Sequence, residues 1–130
     1  MLVLDANVVL AASAREGGFQ PFGDEELVAP PLLWPEARSA LHVALWRGLV
    51  SVQVAERSLD TLESGIVRER RHRRLGGEAW RIADELGWPK TYDAEYLALA
   101  SLLAAALVTF DRRMERAAER LGLVVDSRLR

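Results

Sequence analysis

Short apolar runs alternate with helix-length stretches along this chain, and that alternation limits the folds open to it. Leu2-Val3-Leu4, Leu27-Val28-Ala29, Ala106 to Phe110 and Leu123-Val124-Val125 each read as a strand whose two faces are both buried. Between them lie stretches that read as helices. They run from about Ala6 to Ala14, after Pro30-Pro31, from about Ser51 to Glu63, from Glu78 to Leu86, from Tyr92 to Ala104 and from Arg112 to Leu121. Glycines at 17, 18, 48, 65, 87 and 122 punctuate the pattern. Strands alternating with helices predict an α/β sandwich around a mostly parallel sheet. A length of 130 residues fits one domain, 1–130. Such a chain can bury roughly two-thirds of the surface its unfolded form exposes.

Individual segments sharpen this expectation. The second helix carries Leu33, Ala37, Ala40, Leu41, Ala44 and Leu45 on one face. Pro35 is compatible with it only in the first turn, where a missing N–H costs nothing. The third helix should turn Val54, Leu59 and Leu62 inward. Residues Ile66 to Arg70 suit an edge strand, Gly76-Gly77 should lead into the helix that follows, and Thr91 is placed to cap the next one. The longest apolar stretch, Leu97 to Phe110, is broken by Ser101 and Thr109. It is too short to cross a bilayer and reads as a buried helix followed by a buried strand. Asp5 interrupts the first apolar run too early for a signal peptide. With no cysteine there is no disulfide or thiolate metal site, which fits a reducing compartment. The expectation is a cytoplasmic protein that does not engage a membrane.

Four acids sit inside apolar stretches, where desolvating a carboxylate is unfavourable unless something pairs with it. Asp5 closes the first strand, Glu36 lies within Leu32-Leu33-Trp34-Pro35-Glu36-Ala37, Asp93 opens the helix that begins at Tyr92, and Asp111 closes the strand from Ala106. In a parallel α/β sheet, strand carboxyl ends and helix starts share one edge, and ligands bind there. All four acids can therefore gather. Two unit charges about 4 Å apart repel by roughly 4 kcal/mol at an effective dielectric near 20. Four carboxylates in one pocket must take up protons or share a cation. Oxygen ligands without His or Cys select a hard ion, Mg²⁺ or Mn²⁺, whose usual chemistry is on phosphates. Simpler roles compete. Asp5 and Asp111 could only cap the helices that follow them, and Asp93 could answer only the helix dipole. Glu36, on the border of an apolar face, is the hardest to explain so simply.

The order and surroundings of these residues resemble the PIN-domain nucleases, and within them the VapC-type toxin ribonucleases of toxin–antitoxin pairs. The segments that carry the resemblance are Leu4-Asp5-Ala6-Asn7, Pro35-Glu36-Ala37, Tyr92-Asp93-Ala94-Glu95-Tyr96-Leu97-Ala98-Leu99-Ala100 and Leu107-Val108-Thr109-Phe110-Asp111. The resemblance runs from residue 1 to about residue 125. The resemblance implies a three-layer α/β/α PIN-like sandwich and a magnesium-dependent endoribonuclease that hydrolyses RNA phosphodiesters. Asp5, Glu36, Asp93 and Asp111 match the family's catalytic and metal-binding acidic quartet, with Asp5 and Asp93 most directly tied to the metal. Asn7 and Thr109 match supporting polar positions. The resemblance also implies a homodimer and a cognate antitoxin protein. Arg112 and Arg113 follow Asp111 where some relatives carry another acid or amide, and Glu115 is the nearest acid. One versus two metal positions is therefore left open.

The remaining features carry less chemistry. Arg112 and Arg113 are placed to reach an RNA phosphate, or to form ordinary salt bridges. The run Arg68, Arg70, Arg71, Arg73 and Arg74 around His72 reads as a solvated surface before it reads as a phosphate grip. A net charge of -2 does not suggest a general nucleic-acid coat. Trp34, Trp46, Trp80 and Trp88 suit a core or interface, with base stacking as the minor alternative. His42 suits a surface. An aspartyl phosphoryl-transfer enzyme would need an acid where Asn7 stands, and a receiver-like signalling module an acid after Leu27-Val28-Ala29. A PIN-fold RNA-binding or protein-interaction module without nuclease activity is the alternative that the acids leave open.

Overall fold

The computed structural model describes residues 1–129. Strands β1 (Leu2–Leu4), β2 (Leu27–Ala29), β3 (Arg68–Glu69) and β4 (Ala106–Val108) form one sheet in the order β3-β2-β1-β4, with every pairing parallel. Helices α1 (Ala6–Ala14), α2 (Leu33–Trp46), α3 (Val52–Glu63), α4 (Leu75–Leu86), α5 (Tyr92–Leu103) and α6 (Arg112–Arg120) complete the three-layer α/β/α sandwich. Helices α1, α2 and α3 pack on one another, while α5 lies against β1 and β4 and packs on α4. The two central strands, β2 and β1, are buried throughout, and β4 is buried at Leu107 and Val108, as apolar runs without alternation require.

Helix α5 is the spine of the molecule. Ala94, Tyr96, Leu97, Ala98, Leu99 and Ala100 are all buried, so the helix is apolar nearly all round and is covered on more than one side. It ends at Ala104, which adopts the left-handed conformation (φ 51°) while the next amide, on Ala105, donates back to the Ala100 carbonyl. Gly87 closes α4 in the same way at φ 69°: its own N–H reaches the Asp84 carbonyl and the Trp88 N–H reaches that of Ala83. Glycine adopts that conformation at no steric cost, whereas Ala104 adopts it with a Cβ. The turn fixes where Trp88 emerges.

The register of β1 against β4 sets up the site. Leu4 stands opposite Val108, so Asp5 and Thr109 leave the sheet side by side, and the Asp5 amide still donates to the Val108 carbonyl at 3.3 Å. Pro35 lies in the first turn of α2 and Glu36 beside it. Asp93 occupies the first turn of α5.

Several expectations are corrected. The strand from Ala106 ends at Val108, because Thr109 to Asp111 turn away to cap α6. Leu123-Val124-Val125 is reduced to a single parallel bridge between Val125 and Leu107. The segment from Ile66 to Arg70 pairs only at Arg68 and Glu69. Gly76 and Gly77 lie inside α4 rather than ahead of it, and Leu75 anchors its start in the core. Thr91 holds the N-cap position of α5 but its side chain makes no capping bond, its backbone being already near-helical. In α3, Ala55, Ser58 and Leu62 face inward while Leu59 is exposed. In α2 only Leu33 and Ala37 are buried, so the apolar face read along the whole helix is covered only in its first half. No helix among the described residues is long and apolar enough to cross a membrane.

Candidate active site

Asp5 caps α1 and is buried all the same, with 7% of its surface exposed. One carboxylate oxygen, Oδ1, accepts from the Val8 amide at 3.1 Å; the other, Oδ2, accepts from the Thr109 hydroxyl. Burial pushes its pKa up, and the nearby charges of Asp111 and Asp93 push in the same direction against the lowering by the two hydrogen bonds. A capping role thus accounts for Oδ1 but not for the burial.

Asp111 caps α6 through Oδ1, which accepts from the Arg113 amide at 2.8 Å and the Met114 amide at 3.4 Å. Its own amide donates to the Thr109 hydroxyl oxygen at 3.1 Å. Thr109, 2% exposed, therefore ties Asp5 to Asp111 through one oxygen. Glu36, half-buried on α2, accepts from the Tyr96 hydroxyl at 3.0 Å. Its pKa is raised, first by burial and then by the charges of Asp93, Asp5 and Glu95. Asp93, half-buried, is held by the Arg113 guanidinium, which also lies 4.5 Å over the Trp88 ring.

The acids expected from the sequence therefore share one electrostatic neighbourhood at the carboxyl edge of the sheet. Asp5 feels Asp93 and Asp111, and Glu36 feels Asp5 and Asp93. They do not close on a common point. Among the described residues no three acidic or imidazole side chains form a ready metal cage. The reason is visible in their partners: Thr109 and the Val8 amide hold Asp5, Tyr96 holds Glu36, and Arg113 pairs with Asp93. The donor set is nonetheless all oxygen, which suits a hard divalent ion, and the raised pKa values of Asp5 and Glu36 mark a site that gains from added positive charge.

Asn7, on the first turn of α1, is exposed, as is Arg112. Two residues that matter here drew no role from the sequence. Tyr96 is fully buried, and burial beside the Glu36 carboxylate raises its pKa, so it stays a protonated donor. Its position three residues after Asp93, on the same helix face, was the available signal. Glu95 is half-buried, its pKa raised by desolvation. Beside the acids lies a cavity of about 260 Å³ lined by Glu36, Trp88, Pro89, Lys90, Tyr92, Asp93 and Arg113. A larger groove of about 540 Å³ lies elsewhere, between α2 and α3, lined by Leu41, Leu45, Ala55 and Leu59 among others. It holds none of the four acids.

A parallel sheet flanked by helices, with acids at its carboxyl edge, is what the PIN domain presents, and the profile of that family matches residues 2–120. The chain belongs to the PIN-domain family. Within it the chain is of the VapC type. It is 34% identical over 115 residues to a VapC ribonuclease of Mycobacterium bovis and equally to Ribonuclease VapC9 of Mycobacterium tuberculosis, covering 88% of each chain. The crystal structure of PAE2754 from Pyrobaculum aerophilum superimposes with a TM-score of 0.71 at 29% identity, over 89% of this chain and 84% of that one. FitAcB from Neisseria gonorrhoeae shares the fold, with a TM-score of 0.62 at 18% identity over 98% of both.

Proposed function

We propose that this protein is a metal-dependent endoribonuclease, the toxin component of a type II toxin–antitoxin system acting in the cytoplasm. One observation carries the reading: at a single sheet edge Asp5 and Glu36 are costly to ionise, first through burial and then through neighbouring acids, Asp111 and Asp93 acting on Asp5, and Asp93 and Asp5 on Glu36. Relatives named as VapC ribonucleases, aligned over 88% of the chain, support the same conclusion. Asp5, Asp93, Glu36 and Asp111 would hold Mg²⁺, or Mn²⁺ in its place. When bound, the ion supplies a lowered pKa for a coordinated water and charge stabilisation at the phosphate.

The chain's own residues have defined parts in this scheme. Thr109 fixes the relative orientation of Asp5 and Asp111 by bonding both. Tyr96 keeps Glu36 aimed at the shared edge by donating to it. Asn7, exposed on the first turn of α1 beside Asp5, would orient water or a phosphate oxygen. Arg113, paired with Asp93 and stacked on Trp88, would present its charge to an RNA phosphate at the edge of the site, with Arg112 next to it. An antitoxin or a second copy of the chain would cover the apolar second half of α2.

The test is RNA cleavage by the purified protein with Mg²⁺ or Mn²⁺, with EDTA, and with Asp5→Asn or Asp93→Asn. Cleavage that needs the ion and disappears in both variants supports the reading. Cleavage that ignores the chelator and both substitutions rejects it. The Arg113–Asp93 pair favours a second reading, a PIN-fold RNA-binding or protein-interaction module, because a neutralised Asp93 is a poorer ligand. RNA retained without cleavage under every ion condition would select that alternative.

A further inference from the structure

The cavity beside the acids has a composition that the cleavage chemistry does not need. Glu36 and Asp93 form the wall it shares with the acidic edge. Its other lining is aromatic and cationic: Trp88, Tyr92, Lys90 and Arg113, with Pro89 between them. Trp88 is half-buried, positioned by the glycine turn that ends α4, and the Arg113 guanidinium is stacked 4.5 Å above its ring. Tyr92 is 57% exposed on the first turn of α5, one residue from Asp93. Flat guanidinium and aromatic faces are what unpaired bases stack on, and phosphate-seeking cations beside them complete a single-strand contact.

Resting on the ribonuclease reading, the geometry points to this cavity as a subsite for one unpaired nucleobase of the RNA, stacked on the Arg113–Trp88 layer and flanked by Tyr92, with its phosphate toward the acids. Size decides the number of bases. Drug-sized ligand sites run from roughly 300 to 1,000 Å³. At about 260 Å³ the cavity lies just below that range and suits one base, and a base can reach its stacking faces only after leaving a duplex stack. The site thereby selects single-stranded or looped RNA at the cut, independently of the metal. Trp34, bonded through its indole N–H to the Leu62 carbonyl, and the exposed Trp46 and Trp80 do not line the cavity. Trp88 is thus the one tryptophan among its lining residues.

The experiment measures RNA binding in Mg²⁺ by fluorescence anisotropy, on an Asp5→Asn background so that the strand survives. The probes are a short unstructured oligoribonucleotide and the same strand annealed to its complement. Trp88→Ala and Tyr92→Ala should each weaken binding of the single strand about tenfold, as loss of one stacked base does. Trp88→Phe should keep most of the affinity and abolish the RNA-dependent quenching of tryptophan emission. Tyr92 is exposed, so its variant tests the site even where Trp88→Ala fails to fold. The annealed strand should bind more weakly than the single strand, and equally in all variants. Single-strand binding that is unchanged in Tyr92→Ala, with quenching retained in Trp88→Phe, overturns the base subsite while leaving the nuclease standing. RNA neither bound nor cut by the unsubstituted protein removes the nuclease reading itself, and the subsite with it.

Discussion

The carboxyl edge of the sheet and the second half of α2 break the usual sorting of residues in opposite directions. At the sheet edge a carboxylate, Asp5, is buried among apolar strands. Along α2 and the start of α3, Val43, Trp46, Leu49 and Val52 are exposed, Trp46 by 86%. Charge inside and large apolar side chains outside are the two departures that carry information in a folded protein. They differ in what enforces them. Asp5 is held by a strand register, a helix cap and the Thr109 hydroxyl, so its burial is over-determined by the fold. The α2 residues are held by nothing but the helix itself. The acidic edge is therefore fixed by the fold, and the apolar arm is left uncovered by it.

The sharpest way to break this contrast is to remove charge from the edge. Asp5→Asn and Asp93→Asn should each lower RNA cleavage at least about 100-fold, since even partners one bond away from a metal ligand commonly cost 10–100-fold. Circular dichroism should show the fold intact, because Asn at position 5 still caps α1 and Asp93 is not a capping residue. Thr109→Val comes next. It removes the oxygen that bonds Asp5 and Asp111 while keeping the shape, and should reduce cleavage about 10–100-fold, read as a drop in kcat at saturating ion.

A smaller effect concerns pH. Asp5 and Glu36 both have pKa values raised by burial, so the metal-free folded protein holds protons that the unfolded chain has released. Stability of the metal-free protein should therefore fall as pH rises from about 4, the ordinary carboxylate range, through the raised values. Asp5→Asn should flatten that decline and raise stability above it by about 1 kcal/mol, a few degrees in Tm by calorimetry. Cleavage should move the other way, rising over the same window as the acids become available as ligands. A metal-free protein whose stability rises with pH there would contradict the assignment of strain to these acids.

The smallest effect belongs to the arm. Trp46→Ser removes a side chain that the fold does not cover, and should change the stability of the monomer by less than about 0.5 kcal/mol in urea. It should nonetheless weaken self-association or antitoxin capture in sedimentation, which a purely solvated residue would not do. A loss of several kcal/mol would mean that Trp46 is packed, and the contrast between the two regions would collapse.

The α/β class, the parallel sheet and the acids at strand ends and helix starts were legible in the sequence, because each depends on local periodicity or on a residue type at a boundary. Asp5 after Leu2-Val3-Leu4 and Asp111 after the strand from Ala106 are such cases. What tertiary structure alone decided is pairing across distance. The sequence does not reveal that Leu4 faces Val108, which brings Thr109 to Asp5 from 104 residues away, or that Tyr96 reaches back to Glu36 across 60. Nor does periodicity tell a face that is covered from one left bare, as the two halves of α2 show. A repeat along one helix records that it has an apolar side. Which other element lies against that side, and which cation answers a given acid, is settled only when the chain closes on itself.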